Sequence, residues 1–198
     1  MVPPCGAKGE AAPVIARDTL PEAVARMARF TKEMGKPCAL VGGVAVIARV
    51  FVRATKDVDL LVSCPAAEAR ALLDVARRHG FAWEESEVQD FLDAGLMRMW
   101  GPPSRRDGIG LDILLTDSPF NEDVVRHATV VEVLGTSVRV ATPEDLLLMK
   151  IEANRPIDLD DAIAIKEGFA GRLDLGYLRE QADRLGPDIR RRLDLLVP

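Results

Sequence analysis

At 198 residues, with 48% hydrophobic and 29% charged side chains, the chain is long enough for one sizeable domain, alone or with a small appended bundle. A net charge of −5 and a pI near 5.2 exclude the broad basic face of a non-specific nucleic-acid binder, but leave room for a small substrate or one RNA end held by a local basic patch. Cys5, Cys38 and Cys64 form no CxxC pair, which argues against a zinc site or disulfide framework and for a reducing cytoplasm; with no signal peptide and no apolar run long enough to span a bilayer, no membrane role is expected.

Residues 1–18 read as a loose leader rich in Pro, Gly and Ala. Thr19 and Glu22 have the spacing of a capping box and open a helix to about Met34, with Leu20, Val24, Met27 and Phe30 at helical spacing. Cys38 to Val41 is a short buried strand running into Gly42-Gly43, and a helix follows from Val44 to about Val50. A strand over Val58–Val62, a helix over Pro65–His79, and strands over Leu96–Trp100 and Leu111–Leu115 come next. Thr129–Leu134 and Ser137–Val140 form a hairpin. From Thr142-Pro143-Glu144-Asp145, a strong helix start, only helices follow, around 143–153, 158–168, 174–185 and 187–196. The expected division is a leader over 1–18, an α/β core over 19–141, and a helical part over 142–198 packed on that core.

The chemistry-bearing stretch begins with Gly42-Gly43, continues through thirteen residues, and reaches Asp57-Val58-Asp59. Residues two apart on a strand point to the same face, so Asp57 and Asp59 project together. Two converging carboxylates repel unless a cation lies between them, and hard oxygen donors favour Mg²⁺ or Mn²⁺. Glycines between a strand and a helix let backbone approach a phosphate at the helix N-terminus. Asp112 interrupts the apolar strand Gly110-Leu-Asp-Ile-Leu-Leu115, where an acid is expensive to bury without a partner. Taken singly, Asp-x-Asp is commonly a solvated strand end, Gly-Gly a plain turn, and Asp112 an edge-strand acid. In this order and setting the three acids describe a two-cation site, one ion serving an attacking hydroxyl and the other a triphosphate.

Gly42-Gly43, the thirteen-residue gap, Asp57-Val58-Asp59 and Asp112 resemble the signature of the polymerase-β-like nucleotidyltransferase superfamily. Arg53-Ala-Thr55-Lys-Asp57-Val-Asp59 is similar in particular to its small bacterial members, the AbiEii-type toxins and the minimal antibiotic nucleotidyltransferases; the resemblance covers roughly residues 38–165. It implies a small mixed sheet with flanking helices, NTP as donor, and transfer of a nucleoside monophosphate with loss of pyrophosphate. Lys150-Ile-Glu-Ala-Asn-Arg155-Pro-Ile-Asp158-Leu-Asp160-Asp161 resembles the Lys…Arg…Asp…Asp segment of AbiEii-like proteins, which implies a phosphate contact for Lys150 and a share in the site for an acid beyond it.

On this reading Asp57 and Asp59 hold both ions, Asp112 serves one ion and the hydroxyl proton, and Gly42, Gly43 and Lys150 attend the triphosphate. Lys150 reads equally well as a solvated lysine at a helix end, Asp158 as a helix cap, and Asp161 as a first-turn acid. Arg53 and Thr55 hold either phosphate or their own loop. His79, His127 and Arg190-Arg191-Arg192 receive no role, the arginines reading as a solvated helix face. Two acceptors remain open, an RNA end such as tRNA, with an antitoxin protein as partner, or a small hydroxylated molecule such as an aminoglycoside. A non-catalytic nucleotide- or partner-binding descendant is the third alternative.

Overall fold

The computed structural model describes residues 18–50, 54–102, 108–116 and 118–197. Helix α1 (Leu20–Met34) starts at the expected capping box, with the Thr19 N–H and hydroxyl both donating to Glu22 Oε2, at 2.7 and 2.8 Å. It ends where Gly35 turns left-handed. Strand β1 (Cys38–Val41) is buried throughout and passes directly into α2 (Gly42–Arg49). The expected start at Val44 is two residues late, because both glycines join the first helical turn. Next come β2 (Asp57–Val62), α3 (Ala66–Arg78), a 3₁₀ turn (Glu85–Glu87) leading into α4 (Val88–Ala94), then β3 (Leu96–Trp100) and β4 (Gly110–Leu115).

Helix α5 (Pro119–His127) follows, capped by the Ser118 hydroxyl, which accepts from the Asn121 N–H at 3.2 Å. The sequence reading gives no element to α4 or α5. The hairpin β5 (Thr129–Val133) and β6 (Thr136–Val140) turns at Leu134 and Gly135, both at positive φ (50° and 80°), the two-residue geometry that suits strand twist. Helices α6 (Pro143–Ala153), α7 (Pro156–Gly168), α8 (Leu175–Leu185) and α9 (Pro187–Leu196) complete the chain.

The six strands form one mixed sheet in the order β3-β4-β2-β1-β6-β5. Strands β2 and β4 run parallel, as do β1 and β6, while β1–β2, β3–β4 and β5–β6 are antiparallel. Helices α1 and α5 lie against the sheet, and α2 touches β1, β2, α6 and α7. One buried apolar cluster runs from Leu40, Leu60 and Ile113 through Leu146–Leu148 and Ile165 to Leu178 and Leu193, so strands and C-terminal helices share a core. Asp145 of α6, fully buried, accepts from the Tyr177 hydroxyl at 2.5 Å and the Thr142 hydroxyl at 2.7 Å, fastening α8 to α6.

The arginine run on α9 is more than a solvated face. Arg190 pairs with Asp183 and Asp194, and Arg192 donates to the Ile151 carbonyl at 3.2 Å. His79 lies 2.7 Å from a Glu33 carboxylate oxygen, and His127 packs edge-on against Tyr177. No helix among the described residues is long and apolar enough to cross a membrane.

Candidate functional site

Strand register assembles a polar row across the middle of the sheet. Val41 on β1 faces Asp59 on β2, Asp59 faces Asp112 on β4, and Asp112 faces Arg98 on β3. Asp57 stands two residues before Asp59, opposite Gly110. A Cβ at Gly110 would stand 2.7 Å from Asp57 Oδ1, so the glycine leaves room for that carboxylate.

The Asp59 carboxylate lies under the start of α2. A Cβ on Gly42 would stand 1.9 Å from Asp59 Oδ2, and Gly42 takes φ +65°, so space and conformation both require glycine there. The Gly43 N–H hydrogen-bonds to the Asp59 carboxylate. The glycine pair thus already serves an anion, one supplied by the chain itself. Burial, then the charges of Asp112 and Asp57, push the Asp59 carboxyl up to about 6, against the pull of Lys150 and the Gly43 N–H. A cation beside Asp59 would offset both the burial and the repulsion.

Asp112 is only 8% exposed, and a guanidinium takes both of its oxygens: Arg98 Nε is 2.7 Å from Oδ1, and Nη2 is 2.5 Å from Oδ2. The same Nη2 lies 3.9 Å from Asp57 Oδ2, so one cation spans two acids. Sequence reasoning missed Arg98. Its signal was the alternation of Leu96-Met-Arg-Met-Trp100, which places Arg98 opposite to the buried methionines.

Asp59 also lines a cleft of about 170 Å³, together with Gly42, Leu114, Lys150, Arg155 and Asp158, among others. That is below the roughly 300 Å³ at which whole-ligand pockets begin, so it suits a phosphate group rather than a whole nucleotide. Lys150 is not a solvated helix end. It is 6% exposed, and its Nζ donates to Asp158 Oδ1 and lies 2.9 Å from Asp161 Oδ2 as well. Both acids are fully buried.

Helix α7 starts two residues earlier than expected, with Arg155 as its N-cap, so Asp158 stands in the first turn rather than at the cap. From there it accepts from the Arg155 N–H at 3.3 Å, and the Arg155 guanidinium donates to both its oxygens. Burial pushes the Asp158 carboxyl up, but the hydrogen bonds and charges of Arg155 and Lys150 outweigh it and bring the group down to about 2. Thr55 holds its own loop, its hydroxyl donating to the Asp57 carbonyl at 3.2 Å. Arg53 lies outside the described residues.

A second cleft, about 460 Å³, opens beside Asp57 and is lined by Lys56, Asp57, Glu87, Arg98, Trp100 and Gly108. Sequence reasoning singled out none of its members except Asp57. Among the described residues, no three His, Cys, Asp or Glu side chains are drawn together tightly enough to hold an ion. The donor set nevertheless fits one. Asp57, Asp59 and Asp112 offer hard carboxylate oxygens from neighbouring strands, Asp59 is buried beside the other two acids, and a guanidinium is already drawn between two of the three.

The chain matches the family model described as "Nucleotidyl transferase AbiEii toxin, Type IV TA system" over residues 27–162. No curated protein matches. Among solved structures, the antibiotic-resistance factor ANT(2'')-Ia is 13% identical with a TM-score of 0.53, over 82% of this chain and 90% of that one. The lincosamide antibiotic adenylyltransferase LnuA, solved with lincomycin, is 15% identical with a TM-score of 0.51, over 76% and 98%. An antigenic nucleotidyltransferase-like protein from Paracoccidioides brasiliensis is 16% identical with a TM-score of 0.52, over 91% and 95%. At these identities the likeness is one of fold.

Proposed function

The chain belongs to the AbiEii nucleotidyltransferase toxin family, and from that membership we propose that it transfers a nucleoside monophosphate from NTP to the hydroxyl of an RNA end, using Asp57, Asp59 and Asp112. The observation that carries the reading is the sheet register, which sets Asp59 and Asp112 side by side with Asp57 next to them.

Asp57, Asp59 and Asp112 would hold Mg²⁺ or Mn²⁺. Bound there, the cation supplies charge that offsets the phosphate oxygens and acidifies the attacking hydroxyl. Lys150 and Arg155 line the smaller cleft with Gly42 and Asp59, and there they meet the triphosphate. Lys150 acts from a fixed position, since two buried acids hold it. Gly43 keeps Asp59 aimed through its N–H. The acceptor oxygen bonds to the α-phosphorus, the bond to the bridging oxygen of the β-phosphate breaks, and pyrophosphate leaves. The hydroxyl proton passes to Asp112. An antitoxin protein is the expected partner of a toxin of this family.

A small hydroxylated acceptor is the second reading, and the fold shared with ANT(2'')-Ia and LnuA supports it. Incubation with α-phosphate-labelled NTPs, Mg²⁺ and a fractionated bacterial extract separates the two. Label in RNA supports the first reading, and label in a small-molecule fraction replaces it with the second. Asp57→Asn should abolish transfer while leaving the thermal midpoint unchanged or raised; a large fall in the midpoint would mark Asp57 as structural.

A further inference from the structure

The acid row borders two clefts. Asp59 lines one with Lys150 and Arg155, and Asp57 lines the other with Lys56, Arg98 and Trp100. Attacking and leaving oxygens lie roughly in line at a transferred phosphorus. If the pyrophosphate leaves toward Lys150, the acceptor arrives from the other cleft. That cleft holds an indole and two cations, the pairing that suits a base stacked on an aromatic ring with its phosphate nearby.

One of those cations is committed elsewhere. Arg98 spans Asp112 and Asp57, and while it does so each Asp112 oxygen carries a guanidinium bond and a resident positive charge stands against an incoming divalent cation. Its side chain is 49% exposed, on β3, the strand at one end of the sheet order. The guanidinium is therefore free on its outer side to meet a second anion. We propose that Arg98 exchanges partners: it masks Asp112 in the resting protein, and turns to a phosphate of the acceptor when an RNA end enters the cleft of Lys56 and Trp100. Acceptor binding then frees Asp112 for a divalent cation and for the hydroxyl proton. Before that exchange the site is incomplete, so NTP alone is protected from attack by water. Glu87 and Asp57 line the same cleft, and their charges oppose a second anion there.

This inference rests on the RNA-acceptor reading, and its test is chosen to fail separately. The probe is a short single-stranded RNA with a free 3′ hydroxyl, and NTP is omitted so that no chemistry occurs. Mn²⁺ affinity is measured by electron paramagnetic resonance with and without this RNA, in the wild type and in Arg98→Met. Two sites joined by one exchanging side chain must be coupled reciprocally, typically by about 5- to 150-fold. RNA should tighten Mn²⁺ binding to the wild type by at least about fivefold.

Arg98→Met should bind Mn²⁺ tightly without RNA, show no further gain when RNA is added, and bind RNA several-fold more weakly. Trp83→Phe leaves Trp100 as the sole indole, whose fluorescence should change as RNA binds. Should Arg98→Met not fold, Arg98→Lys, which keeps the charge and loses the two-pronged grip, should show an intermediate coupling. RNA that binds and accepts label while leaving Mn²⁺ affinity unchanged overturns the exchange and spares the reading of function. RNA that neither binds nor accepts label overturns both.

Discussion

Gly42→Ala tests the construction of the site at its tightest point. The added Cβ would stand 1.9, 2.5 and 2.8 Å from Oδ2, Cγ and Cβ of Asp59, so moving the carboxylate tip alone cannot relieve the clash. Either the whole Asp59 side chain turns away or α2 lifts from β2. Holding Ala at φ +65° costs about 1–2 kcal/mol, and overpacking adds about 1–3 kcal/mol. Together these predict a loss of about 2–5 kcal/mol, or about 4–20 °C in Tm for a chain of this size.

Gly171→Ala provides the control, because Gly171 has φ +72° and a Cβ added there would meet nothing within 4 Å. It should show the conformational cost alone. Urea unfolding of both variants isolates the steric part, and label transfer from α-phosphate-labelled NTP reads the chemistry. Transfer by Gly42→Ala should fall at least about 100-fold, as expected when a reacting group is misplaced by about 1 Å. If Gly42→Ala is no less stable than Gly171→Ala, the close approach of α2 to Asp59 is wrong. If it is less stable but transfers normally, Asp59 is not needed where the structure puts it.

Two further expectations concern buried charge. Lys150→Met leaves Asp158 and Asp161 buried without the cation they share and should cost about 3–5 kcal/mol in urea unfolding; a loss below about 1 kcal/mol refutes the buried clasp. Asp158, held near 2, contributes stability that is fully present above the unfolded value of about 4 and is lost as pH falls from there toward 2. Lys150→Met should therefore lessen the fall in stability over that acid window, as seen in melts against pH. Asp59 has the opposite sign. Raised to about 6, it makes the folded protein less stable as pH climbs from about 4 to 6. With divalent ions chelated, Asp59→Asn should match the wild type near pH 4 and exceed it by about 1–3 kcal/mol above pH 6. An equal difference at both pH values contradicts the burial and acid repulsion that raise Asp59.

What is legible in the sequence is local. Thr142-Pro143 announces α6, Gly42-Gly43 announces a tight passage from strand to helix, and period-two spacing puts Asp57 and Asp59 on one face. Ser118-Pro119 carries a start signal of the same kind for α5, but the helix is short and adds little periodicity to support it. Arg98 is not legible as a partner of Asp112 because their meeting depends on antiparallel register between β3 and β4, which no local pattern encodes. Lys150 is misread when judged from its place at a helix end. Four of its neighbours on α6, Leu146, Leu147, Leu148 and Ile151, are all buried, so α6 is covered on most sides and its lysine cannot reach open water. Three leucines in succession are the pattern of such a helix, and the sequence displays them.

The shared core also sets an order of events during synthesis. The strands bearing the acid row are complete by residue 115, whereas α7, which clamps Lys150, begins at Pro156. A growing chain therefore displays its carboxylates well before it can position the lysine proposed to meet the triphosphate. Domains emerge from the ribosome at about 5–20 residues per second, so that gap lasts several seconds. Throughout it the nascent polypeptide lacks the clamp on Lys150 that the proposed transfer requires, and any protein that seizes the emerging sheet does so before that clamp closes.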